Sequence, residues 1–179
     1  MSYYFAIIGT KDNPLFEHEF GTSRSGGDGV SRFDAAARAL NPFILHSSLD
    51  IVEEVQWGVS STSTSAPMYL KHIDKYQNSY ISCWITGGNV KFLLLTRPSD
   101  AALAGAGGSR GSLAGGRSNM VQGTYNPTSP ATEEAVKNFF VDVYDVWVKT
   151  IMNPFYLLDD KVTSPVFRQR VASAAKKYL

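Results

Sequence analysis

The chain has little of what dedicated chemistry usually needs. It holds one cysteine, Cys83, so no intramolecular disulfide can form. That fits a reducing compartment. It has three histidines, His18, His46 and His72, and none makes an HxH or HExxH spacing. A zinc site is therefore not expected, and the histidines read as surface or rim groups. Neither charge sign is in excess: Lys+Arg 17 against Asp+Glu 16 leaves a net charge of +1. That balance argues against a nucleic-acid binder, which carries a basic excess. No apolar run approaches the roughly 18 residues of a membrane span. The opening "MSYYFAIIGTKDNP" lacks the basic start of a signal peptide. No lipidation signal is seen, so any membrane contact is expected to be peripheral.

A 179-residue chain with 44% apolar residues has enough material for one core. Tyr3 to Gly9 is short, β-prone and almost continuously apolar, as in a strand covered on both faces. The turn residues Asp12, Asn13 and Pro14 follow. Leu15 to Phe20 then alternates, with Phe16, His18 and Phe20 on one side and Glu17 and Glu19 on the other. A loop leads to a helical region from about Arg32 to Trp57. Asn41-Pro42 falls inside it. Either a helix starts there, with Asn as N-cap and Pro at the first position, or a longer helix is kinked there.

Three further strands are expected in "MYLKHIDKY", "YISCWITG" and "NVKFLLLT", joined by turns at Gln77-Asn78-Ser79 and Gly87-Gly88-Asn89. Residues 97–130 hold seven glycines and few apolar residues. They are expected to be a disordered insertion, dispensable for folding. Residues 58–67 read as a shorter flexible loop. The "GAGGSRG" within the insertion lacks the Gly-Lys-Ser/Thr ending of a phosphate-binding loop. Thr132 is expected to cap a strong amphipathic helix carrying Val136, Phe139, Phe140, Val143, Trp147 and Ile151, which Asn153-Pro154 stops. A short extended piece, "FYLLDDKV", leads to Ser164-Pro165 and a last helix with Phe167, Val171, Ala174 and Tyr178 on one stripe. The order ββαβββαα is economical as an α+β fold, an antiparallel sheet with helices on both faces.

Cys83 lies mid-strand beside Trp84 and reads as core rather than nucleophile. Ser47, His46 and Asp50 hold the residue types of a hydrolase triad, but Ser47 lies within a regular helix. It lacks the sharp nucleophile turn and oxyanion hole of such enzymes. The basic groups Lys161, Arg168, Arg170, Lys176 and Lys177 admit two readings: local complement to a helix C-terminus, or a surface for anionic lipid or an acidic partner.

Projected on a helical wheel, Ile44, Leu45, Ser48, Ile51, Val52 and Val55 form a core face, with Leu49 at its margin. His46, Ser47, Asp50, Glu53 and Glu54 lie opposite, and Phe43 and Trp57 lie on that polar side too. Large aromatics beside charges mark docking surfaces; near helix ends they also tuck under loops. The candidate protein-binding set is Phe43, His46, Asp50, Glu53, Glu54 and Trp57.

The pieces "YFAIIGTKDNPLFEHEF", "LNPFILHSSLDIVEEVQW", "MYLKHIDKY", "FFVDVYDVWVKTIMNPFY" and "SPVF" together resemble the sedlin family, subunit 2 of the TRAPP complex, in its fungal forms. The resemblance implies a longin-like fold: a five-stranded antiparallel sheet with one helix on one face and two on the other. It further implies a non-catalytic adaptor in a vesicle-tethering assembly that acts as exchange factor for a Rab-type GTPase. The expected setting is endoplasmic-reticulum-to-Golgi and Golgi traffic, in the cytoplasm at the membrane surface. Expected partners are other TRAPP core subunits and the large complex-specific subunits, with no cofactor. A clathrin-adaptor small subunit shares the fold but lacks the quoted motifs. In the sedlin family the aspartate matching Asp50 is exposed and functionally important. After "SPVF" the family often has aspartate, where this chain has Arg168.

Overall fold

A computed structural model describes residues 1–23, 26–60, 67–98 and 129–179, the side chains of residues 57–60 excepted. The strands are β1 (Ser2–Ile8), β2 (Pro14–Gly21), β3 (Tyr69–Tyr76), β4 (Ser79–Ile85) and β5 (Lys91–Arg97). The helices are α1 (Ala35–Ser47), α2 (Leu49–Ser60), α3 (Pro130–Ile151) and α4 (Pro165–Tyr178). The strands form one antiparallel sheet in the order β2-β1-β5-β4-β3. Every residue of β1 is buried, as its unbroken apolar character requires of a strand with helices on both sides.

Alternation along the strands divides the core in two. Tyr3, Phe5 and Ile7 of β1 join Phe92 and Leu94 of β5 under α3 and α4, where Phe139, Phe140, Trp147 and Phe167 pack. Phe5 meets Phe139 edge-on at 5.3 Å between ring centroids. Tyr4, Ala6 and Ile8 face the other way, with Leu93, Leu95, Ile81 and Cys83, against Ile44, Leu45, Leu49 and Val52 of α1 and α2. The expected α+β, longin-like layering with one helical region on one face and two helices on the other is thus present.

Of the two readings at Asn41-Pro42, the longer helix is the one present: α1 starts at Ala35 and carries Pro42 inside it. Asp34 is its N-cap, accepting from Ala37 N at 3.2 Å, and Pro42 sits inside α1. The irregularity falls at Ser48 instead, whose hydroxyl donates to Leu45 O at 2.8 Å. Such back-bonding loosens a helix locally. The i→i−4 bonds Ser48 N to Ile44 O and Val52 N to Ser48 O carry the helix past it. A buried face on both sides of Pro42 outweighs the one lost donor.

Three other boundaries differ from the sequence reading. α3 begins at Pro130 with Ser129 as N-cap, not at Thr132; this is the same Ser-Pro signature as Ser164-Pro165, which the glycine-rich composition before it concealed. Arg97 belongs to β5 and Gly58 to Ser60 belong to α2, so the presumed insertion and loop are shorter at these ends. Their remainders, 61–66 and 99–128, lie outside the described residues. "FYLLDDKV" is not extended: it is a chain of turns, with Asp159 at φ 62°. Edge strand β3 is also bulged, with register shifts around Lys71 and His72 and Lys71 at φ 63°.

Candidate functional site: the exposed face of α1 and α2

The wheel is realised closely. Ile44, Leu45, Ser48, Leu49 and Val52 are buried, while Phe43, His46, Ser47, Asp50, Glu53 and Glu54 are exposed. Ile51 and Val55 are half-buried at the boundary. Phe43 stands 67% exposed and does not tuck under a loop. The Trp57 side chain, the remaining candidate, lies outside the described residues. The five other predicted residues therefore share one surface. An aromatic ring at the Phe43 end is followed by the carboxylate of Asp50 about two turns on and those of Glu53 and Glu54 about three turns on. α2 contains no lysine or arginine, so nothing on its own helix neutralises them. Asp50 in its first turn complements the macrodipole, but Glu53 and Glu54 lie beyond that turn.

His46 is held. Its Nε2 lies 2.8 Å from the Asp12 carbonyl oxygen, and since a carbonyl only accepts, Nε2 carries the hydrogen. Asp12 is in the β1–β2 turn at φ 57°, and its carboxylate accepts from Lys91 Nζ at 2.8 Å. Lys91 is at the start of β5 and is 1% exposed. A buried cation, a turn and a helix-surface imidazole are thus one connected unit. Sequence reasoning missed it, because the three residues are 79 positions apart end to end in the Lys91–Asp12 bond. The only local signal was an Asp-Asn-Pro turn.

The triad types are not arranged for acyl transfer. Ser47 Oγ donates to Ile44 O at 2.8 Å, and His46 is engaged with Asp12 rather than with a nucleophile. Cys83 is fully buried on β4, and burial pushes its thiol well above the usual range. Among the described residues no three His, Cys, Asp or Glu side chains cluster as metal ligands. His18 is half-buried on β2; burial first, and the nearby Arg168 guanidinium second, hold its pKa below the ordinary value. Arg168 Nη1 approaches His18 Nδ1 at 3.2 Å and lies over the Phe16 ring at 5.2 Å. The basic groups of α4 thus have local engagements in part, Lys177 also pairing with Asp142 at 3.1 Å.

The family model described as Sedlin matches residues 7–177. The chain belongs to the sedlin family. A Schizosaccharomyces pombe relative named "Transport protein particle 20 kDa subunit" is 33% identical over 180 residues, covering all of both chains. The "Trafficking protein particle complex subunit 20" of Saccharomyces cerevisiae is 30% identical over 202 residues, covering all of this chain and 99% of its own. A Caenorhabditis elegans relative, "Probable trafficking protein particle complex subunit 2", is 30% identical over 177 residues, covering 99% and 96%. The matches of this sedlin chain to these three relatives cover 99–100% of it and 96–100% of theirs.

The structure also exposes residues the sequence reading passed over. Between α3 and α4, Met152, Phe155, Leu157 and Leu158 stand 74%, 89%, 67% and 76% exposed. Without a helical or strand period they gave no pattern to read. Among the described residues no helix is long and apolar enough to cross a membrane.

Proposed function

We propose that this chain is a non-catalytic subunit of a TRAPP-type vesicle-tethering particle, acting as an adaptor that holds other subunits together. The observation that carries the reading is the full-length likeness to relatives named as subunits of such a particle, at 33% and 30% identity. The exposed face of α1 and α2 is the adaptor surface in this reading, with Asp50 at its centre and Phe43, His46, Glu53, Glu54 and Trp57 around it. Three carboxylates with no ion-pair partner among the described residues and an exposed ring suit a basic, partly apolar partner surface. The His46–Asp12 bond fixes the imidazole at its rim in one orientation. By the same reading the particle serves as exchange factor for a Rab-type GTPase. The chain then works in endoplasmic-reticulum-to-Golgi and Golgi traffic from the cytoplasmic side of the membrane.

The test is a purification of the tagged chain with and without Asp50→Lys. Wild type is expected to bring down the other particle subunits. The exposed Asp50→Lys change is expected to leave the fold intact and to reduce recovery of at least one large subunit about tenfold or more. Unchanged recovery of every subunit, with the variant folded, would remove the α1–α2 face from the proposal. Absence of any particle subunit from the wild-type preparation would remove the adaptor role itself.

A further inference from the structure

Lys91 is a buried cation in an apolar layer. It stands 1% exposed at the start of β5, paired in the ladder with Ile8 of β1 and Ile85 of β4, both buried. Alternation puts it on the sheet face of Leu93 and Leu95, which pack under α1 and α2. Burying a charge is costly, and an apolar side chain of the same volume packs in such a place without that cost. What the ammonium does that a methyl group does not is hold Asp12, whose Oδ1 lies 2.8 Å from Nζ.

Asp12 passes the constraint on. Its backbone lies at φ 57°, a left-handed conformation that aspartate accepts. The turn around it is closed by Gly9 N to Asn13 O at 2.8 Å and Asp12 N to Gly9 O at 3.2 Å. With its carboxylate tied to Lys91 and its φ set by the turn, Asp12 presents its carbonyl to α1, where His46 Nε2 donates to it at 2.8 Å.

That bond decides which ring nitrogen carries the hydrogen. With Nε2–H engaged, the neutral imidazole has its lone pair at Nδ1. His46 is exposed, and among the described residues no donor occupies Nδ1. Ser47 Oγ, the nearest hydroxyl in sequence, is turned to Ile44 O at 2.8 Å. Asp50 is exposed one helical turn further on. From Phe43 to Glu54 there is no lysine or arginine, so the open polar side-chain groups of this stretch are Nδ1 and the carboxylates of Asp50, Glu53 and Glu54. All of them accept. The β1–β2 turn adds one cation, the exposed Lys11, whose charge acts on Asp159 of the α3–α4 loop. The protein side chains that donate and do not accept, and carry the charge Asp50 attracts, are arginine and lysine.

We propose that Lys91 is a positioning residue of the α1–α2 contact face. Acting through Asp12, it fixes His46 as the Nε2–H tautomer. Nδ1 then accepts a hydrogen bond from an arginine or lysine side chain of another subunit of the particle, while Asp50 beside it meets the charge. The inference rests on the α1–α2 adaptor surface proposed above and adds to it a residue that lies beneath that surface.

The test uses the tagged full chain in two measurements. Long-range proton–nitrogen NMR of the isotope-labelled chain reads the His46 tautomer. Wild type is expected to show the Nε2–H form, and Lys91→Met a mixture of both tautomers. Purification from cells then reads the subunit that Asp50→Lys loses. His46→Gln keeps an N–H at the reach of Nε2 for Asp12 and has no acceptor at the Nδ1 position. His46→Asn keeps an amide oxygen at that position and loses the bond to Asp12. Recovery is expected to fall about fivefold or more in Lys91→Met and His46→Gln, and to stay within about twofold of wild type in His46→Asn. His46→Gln is expected to melt within about 2 °C of wild type, so its loss is not one of folding. An unchanged His46 tautomer in Lys91→Met would overturn the positioning role. Full recovery with His46→Gln, while Asp50→Lys still loses the subunit, would overturn the inference and leave the face standing. Full recovery with Asp50→Lys as well would remove the face, and the inference with it.

Discussion

Lys91 Nζ and Asp12 Oδ1 meet at 2.8 Å, and the two ends of that bond have opposite surroundings: Lys91 is 1% exposed and Asp12 is nearly half exposed. A buried ammonium needs its partner more than the carboxylate does. Asp12→Asn keeps a residue that tolerates the positive φ and removes only the charge. It is expected to cost about 1–2 kcal/mol. Lys91→Met, which removes the buried charge as well, is expected to cost less in that background than alone. A double-mutant cycle by chemical denaturation reads the coupling; additive effects would mean the pair does not hold the turn.

Gly9 lies close against the α3–α4 loop. A Cβ there would lie 2.5 Å from Asp159 Oδ1 and 2.8 Å from Asn13 Oδ1. Gly9→Ala is expected to destabilise by about 1–3 kcal/mol, because the added Cβ displaces the loop. Gly88→Ala, with nothing within 4 Å, is the control and is expected to be near neutral. Equal melting temperatures for the two variants would contradict the tight approach.

The Arg168 guanidinium faces His18, its Nη1 3.2 Å from Nδ1. Burial and that positive charge lower the His18 pKa. The unfolded imidazole titrates near 6.5 and so binds its proton first as pH falls. His18 therefore contributes stability above roughly pH 6.5 that is lost on acidification through its folded pKa. In Arg168→Asp the neighbouring charge reverses. The His18 pKa is expected to rise, and the stability lost as pH falls below about 6.5 to shrink. An NMR titration of the imidazole that shows no change between wild type and variant would count against this.

Cys83 is completely buried, and burial raises its thiol pKa, the weaker pull of Lys91 notwithstanding. Native protein at pH 8 is expected to react with a thiol reagent at least about a hundredfold more slowly than protein in denaturant. Burial raises Tyr4 as well, which donates to Glu17. Both groups are held neutral in the fold and ionise more readily once unfolded. Stability is therefore expected to fall as pH rises past roughly 8.5, where the unfolded thiol begins to lose its proton. Rapid labelling of the native chain would place Cys83 outside the core.

Much of the molecule was legible because its signals are local and periodic. β1 read as doubly covered from seven apolar residues in a row, and it is buried throughout. The exposed face of α1 and α2 followed from a 100° projection, since burial on a helix repeats every 3.6 residues. Where a local rule left two outcomes open, tertiary packing chose between them. Pro42 could start a helix or lie within a longer one, and α1 runs through it, because Ala37, Ile44 and Leu45 on either side bury together. Ser129-Pro130 carried a start signal, but glycine-rich composition hid it.

The sequence by itself determined the strand and helix order, the family, and the acid-and-aromatic face centred on Asp50. Its alternation and helical spacing are properties of neighbours along the chain. Only the tertiary structure decided that Lys91 is buried on Asp12, that Asp12 holds His46, and that Asp159 pins Thr10. Only it revealed that Met152, Phe155, Leu157 and Leu158 stand outside. These depend on partners 34 to 149 positions apart, brought together by closing the sheet, and on where the core runs out of room for apolar groups.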